Sequence, residues 1–286
     1  MFRILTAIAV AAALPIPLAA QEASPDALAA AQEAQQTGRQ MAQVQAAVAL
    51  AQRQYAGMTG GDIGPEYQGA IALPGAQPDS WLAIIVGRRG DGPEAELVAL
   101  GEYEIAGGAL VSEAVHLLAE APVLDGTASA MAQARAFAPR AIIAAGNSTF
   151  CAAGDGDSVS FATIVMPVRE DGTFDAWVLN GPIEDGAIPL GRHFRVGFDE
   201  FGLDGDPELV TDTCETVTWD AADPDLAMSV YVTRFDGDAP TPIHAYVSSL
   251  LPMSMGVVTG DLIWPMAGGT IAAPVPAAEA GYAAAD

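Results

Sequence analysis

The apolar positions of this chain change spacing twice. Ile4 to Leu18 is a near-continuous apolar run behind Arg3, interrupted by Pro15 and Pro17. Met41, Val44, Val48, Ala51 and Tyr55 then recur at alternating steps of three and four, which draws one stripe along a helix. From about residue 80 onward the apolar residues come as short runs and alternations between turn-forming residues, the pattern of strands.

The first run reads as a secretory signal peptide over residues 1–20. Arg3 is its basic start, and Leu18-Ala19-Ala20 offers small residues for cleavage before Gln21. The prolines argue against a membrane span, which needs about 20 apolar residues without breakers. Residues 21–57 form an N-terminal helical arm. Ser24-Pro25 is its start signal, and Gly38 weakens its first half. The arm either docks on the main domain or self-associates through residues 41–55. A Gly-rich linker follows over 58–66.

Residues 67–271 read as an α+β domain, either single or divided into lobes at 67–145 and 146–271. Its first β-meander has runs at 81–86, 97–105 and 110–118, with Gly107-Gly108 as a hairpin turn. A short helix over 126–138 ends or kinks at Pro139. The second meander has strands at 160–169 and 173–180 around Asp171-Gly172, then 192–198, 226–234, 243–250, 255–259 and 261–264. The sheets are expected to be mostly antiparallel. The Ala/Pro-rich tail, 272–286, reads as disordered.

Charge and composition remove several classes of function. The formal net charge is −25, so nucleic acid and anionic lipid are repelled. All eleven basic residues are arginine. Without lysine there is no Schiff-base amine, no phosphate-loop lysine and no Ser-x-x-Lys pair. Cys151 and Cys214 are the two cysteines, and in an exported chain they read as one disulfide. A catalytic cysteine is the alternative. Asn147-Ser148-Thr149 matches a glycosylation sequon.

The three histidines are His116, His193 and His244. His116 reads as structural. Alternation in a strand puts His193 and Arg195 on one face, opposite Phe194 and Val196. If 243–250 is also a strand, His244, Tyr246 and Ser248 share a face. Neighbouring strands would then gather His193, Arg195, His244 and Tyr246, a general base beside groups that hold a carboxylate. The competing reading is a solvated sheet face. No HExxH or GxSxG motif occurs, and no motif implies a cofactor. A zinc site from His193, His244 and an aspartate is a further option. Asp155-Gly156-Asp157, the segment around Asp199, Asp204 and Asp206, and Asp236-Gly237-Asp238 supply oxygens of the kind calcium takes, or they are plain acidic turns.

The stretch Ala187-Ile188-Pro189-Leu190-Gly191-Arg192-His193-Phe194-Arg195-Val196, then Cys214, then Thr241-Pro242-Ile243-His244-Ala245-Tyr246-Val247-Ser248, resembles a group of uncharacterised exported proteobacterial proteins. The resemblance covers about residues 160–265 and implies a periplasmic setting without implying a reaction. The sequence thus points to an exported periplasmic protein that binds a protein or small-molecule partner without catalysis. The alternative is a hydrolase or metal-dependent enzyme built on His193 and His244.

Overall fold

The computed structural model describes residues 22–147, 150–151, 160–181 and 183–282. The expected signal peptide, Asp155-Gly156-Asp157 and part of the sequon lie outside the described residues. The first described element is helix α1 (Pro25–Met58). The Ser24 hydroxyl accepts from the Ala27 N–H at 3.1 Å, and Pro25 occupies the first helical position, so the expected start signal does form the cap.

Four antiparallel strands follow in sequential order: β1 (Tyr67–Pro74), β2 (Ser80–Arg89), β3 (Glu96–Ala106) and β4 (Ala109–Val115). Next comes α2 (Gly126–Ala144), capped by the Asp125 carboxylate on the Ala128 N–H at 2.8 Å. α2 continues past Pro139 to Ala144 instead of stopping there. A proline removes only one helical hydrogen bond, and packing of Ala138, Ala141 and Ile142 holds the last turns in place.

The second sheet takes β5 (Ser160–Val165) and β6 (Phe174–Gly181) first. After the short β7 (Ala187–Pro189) it adds β8 (His193–Asp199) and β9 (Gly202–Thr211), in the order β5-β6-β8-β9. β7 pairs with β10 (Thr216–Thr218). The remaining elements are β11 (Val230–Arg234), α3 (Pro242–Leu250), β12 (Ser254–Thr259), β13 (Leu262–Ala267), β14 (Thr270–Ile271) and β15 (Val275–Pro276). They build a third sheet in which β11 and β12 run parallel, the one parallel pairing among the described strands. The architecture is α+β with mostly antiparallel sheets.

Three expectations need correction. Residues 243–250 are helix α3, not a strand. Thr241 and Pro242 start that helix, and it links the parallel strands β11 and β12, a connection that needs a crossover. The tail over 272–286 is not wholly irregular, because β15 pairs with β13 and Ala277 is buried. The stripe over 41–55 offers no face for self-association. Met41, Val44, Ala51 and Tyr55 are buried against Ala83, Ile85, Leu100 and Tyr103 of the first sheet and Ile243 and Tyr246 of α3.

The core has two sides. α2 packs between Ile71, Ile84 and Val86 of the first sheet and Phe174, Val178, Phe194 and Val196 of the second. On the other side α1 and α3 join Ile164, Trp177 and Leu179 of the second sheet and Met255, Val257 and Trp264 of the third. This second arrangement leaves a groove where α1, the start of α3 and the second sheet meet.

Candidate functional site

β8 alternates as its sequence dictates. Phe194 and Val196 enter the α2 side of the core, while His193 and Arg195 face α1 and α3. Along that face burial falls off sharply: His193 is 1 % exposed, whereas the Arg195 side chain is about half exposed at 48 %.

His193 is occupied by backbone. Its Nδ1 accepts from the Asn180 N–H at 2.9 Å, and Nε2 donates to the Pro189 carbonyl at 3.2 Å. The ring thereby ties β6, β7 and β8 together as a neutral imidazole. Burial lowers its pKa to about 4, against a smaller upward pull from the Pro189 carbonyl. His244 sits in the first turn of α3, where its Nδ1 accepts from the Thr241 N–H at 3.0 Å. The Phe235 ring meets it edge-on with centroids 5.2 Å apart. Burial, and to a smaller extent proximity to His193, lowers its pKa to about 3. The structure therefore does bring the two imidazoles close, but as sealed, neutral structural groups.

The proposed four-residue face does not form. On a helix His244 and Tyr246 diverge. Tyr246 is a buried core side chain whose phenol is pushed up by burial. Arg195 turns to Glu208 at 3.1 Å. His116 pairs with Glu102 at 3.1 Å, away from both other histidines. The calcium candidates also separate. Asp199 Oδ1 accepts from the Phe201 and Gly202 N–H groups, closing the β8–β9 turn, while Asp204 and Asp206 lie on β9 rather than in a loop. Among the described residues no three His, Cys, Asp or Glu side chains gather as metal ligands. Cys151 and Cys214 form the disulfide.

The open site is the groove next to Arg195, with a volume of about 1040 Å³. Its floor includes a row crossing the second sheet, because Trp177 pairs with Arg195 and Arg195 with Glu208. Beside that row Arg169 holds Asp175 at 2.7 Å. One wall is α1, presenting Ala30, Glu33, Gln36, Thr37 and Gln40; the other is Phe235, Pro240, Thr241 and Pro242. Trp177 is 4 % exposed, and its buried Nε1–H has no acceptor among the described residues. An unmet buried donor of this kind costs about 1–3 kcal/mol.

Of these residues only Arg195 was singled out from sequence. The others were missed because the groove is assembled from six separated segments. The signal that existed was local: Trp177 and Asp175 alternate on a strand and so share a face.

No protein-family model, curated protein or solved structure matches this chain.

Proposed function

We propose that the chain is an exported, non-enzymatic binding protein whose site is the groove between α1, the second sheet and the start of α3. The observation that carries the reading is the contrast between the two histidines and Arg195. Both ring nitrogens of His193 are held by backbone groups, and His244 caps its own helix. A general base or metal ligand needs a ring nitrogen that reaches its target. The charged and amide side chains instead surround an open groove at the upper end of the usual volume for a small-molecule site.

Export is supported by the apolar leader sequence, by the disulfide and by the resemblance over 160–265. The strong negative charge suits a soluble protein that works away from nucleic acid.

The test is native mass spectrometry of protein purified gently from its own compartment, beside the variant Gln36→Trp. Gln36 is exposed on the α1 wall, so an indole there fills the groove without disturbing the core. An adduct carried by the wild type and lost from the variant is expected. An adduct retained by Gln36→Trp, or none in either protein, overturns the groove as the binding site.

A further inference from the structure

Groups that end in N–H converge on the groove. Trp177 and Arg195 are cross-strand neighbours on β6 and β8. Arg169 lies on the same floor, with Nη1 on Asp175 and Nε on the Thr173 hydroxyl at 2.9 Å. Thr241 and Pro242 bring in the first turn of α3, which contributes the positive end of its backbone dipole and not a free N–H, since the Thr241 N–H is held by His244 Nδ1. Opposed to them are three carboxylates. Asp175 and Glu208 are each neutralised by an arginine, and Glu33 stands on the α1 wall.

The Trp177 indole points to what is missing. It is a buried donor with no acceptor among the described residues, beside a guanidinium that one nitrogen ties to Glu208. Buried donors are rarely left unmet without a reason. A planar carboxylate fits two adjacent N–H donors better than a point charge does. Three carboxylates against two guanidiniums make the groove unsuited to a dianion such as phosphate, whereas a single negative charge is tolerated.

We propose that the groove takes its ligand through a carboxylate, set against Arg195 and the indole N–H of Trp177 near the start of α3. The remainder of the ligand is an uncharged body lying along Ala30, Ala34 and Pro74. Trp177 lines the groove with its Nε1 buried, so a carboxylate reaches that N–H only as the half-exposed Arg195 side chain shifts aside. This assignment rests on the groove being the binding site.

The experiment uses the ¹⁵N-labelled full protein and the indole N–H signals of its four tryptophans. Trp177→Phe identifies the Trp177 signal. The probes are hexanoate, N-acetyl tetra-alanine with a free carboxylate, and the same peptide as its C-terminal amide. The Trp177 signal should move saturably with the two carboxylates and stay put with the amide. Arg195→Gln should weaken both carboxylates at least about tenfold. Equal movement with the amide overturns the carboxylate while leaving the groove as a binding site. No movement with either carboxylate up to about 10 mM overturns it too, and the adduct test then judges the groove independently.

Discussion

Gly38 of α1 and Ala245 of α3 meet where the two helices cross, and a Cβ placed on Gly38 would lie 2.6 Å from the Ala245 Cβ. The same atom would meet the Pro242 carbonyl oxygen at 2.6 Å and the Tyr246 nitrogen at 2.8 Å. A residue that weakens α1 as an isolated helix is thus what lets α3 approach it. That approach sets the wall of the groove at Thr241 and Pro242.

Gly38→Ala should therefore destabilise the protein although alanine is the better helix former. The propensity gain is about 1 kcal/mol. Against it stands overpacking onto backbone atoms that cannot rotate away, about 1–3 kcal/mol or more. A net loss of up to about 2 kcal/mol in denaturant unfolding is expected. Gly57→Ala is the matched control, because a Cβ there meets nothing within 4 Å. It should stabilise by about 0.5–1 kcal/mol. Similar gains from both substitutions would refute the close crossing.

The disulfide Cys151–Cys214 spans a sequence separation of 63 residues, with its Cα atoms 5.5 Å apart. It fastens the segment before β5 to the segment after β9. In the chain-entropy model a loop of this size is worth about 4 kcal/mol. Cys151→Ala with Cys214→Ala should lower the unfolding free energy by up to that amount. The native protein, unfolded without reductant, should take up no thiol label. Labelling of two thiols under those conditions would remove the tie.

The main strands were legible because half-buried alternation survives in single segments. The β6 and β8 stretches show it plainly, with Ala176 and Val178 facing α2 and Trp177 facing α1. The α3 segment was misread for a physical reason. Its residues from Ile243 to Ser248 are all buried, so no polar side existed to reveal a period of 3.6. The alternation of Ile243, Ala245 and Val247 then imitated a strand, and the better signal was Thr241 followed by Pro242. β9 escaped for the opposite reason. Five of its seven residues from Gly202 to Glu208 are exposed and three are acidic, so it reads as an acidic turn. Beyond Arg195 and the shared face of Asp175 and Trp177, the groove is not legible in the sequence, since Glu33, Trp177, Arg195 and Thr241 meet only through tertiary packing.

Arg169 and Asp175 flank the Asp171-Gly172 turn and form an ion pair at the groove with the arginine half exposed. Such a pair contributes about 0–1 kcal/mol to stability. Asp175→Asn should leave the melting temperature within a degree or two of wild type. It also frees the Arg169 guanidinium and makes the groove less negative. Carboxylate probes should then bind more tightly, by about two- to fivefold. Weaker binding of the carboxylate probes to Asp175→Asn would overturn the reading that the Asp175 charge opposes the ligand's carboxylate.

The buried imidazoles should make the fold sensitive to mild acid. Unfolded, each ring titrates near 6.5; folded, His193 sits at about 4 and His244 at about 3. Between those values the unfolded chain binds more protons than the folded one, so stability falls as pH falls. The contribution is intact above about 6.5 and drains steadily toward 4 and below. For His193 the full loss is about 3 kcal/mol, with a loss of the same sign from His244. His193→Asn and His244→Asn each keep an acceptor near the Nδ1 position, the atom that serves the Asn180 and Thr241 N–H groups. Each variant should be less stable at neutral pH, because the asparagine leaves part of the ring's volume empty. Each should also show a shallower decline between about 6.5 and 4, measured as unfolding free energy against pH. An unchanged acid slope in both variants would place the acid sensitivity elsewhere in the fold.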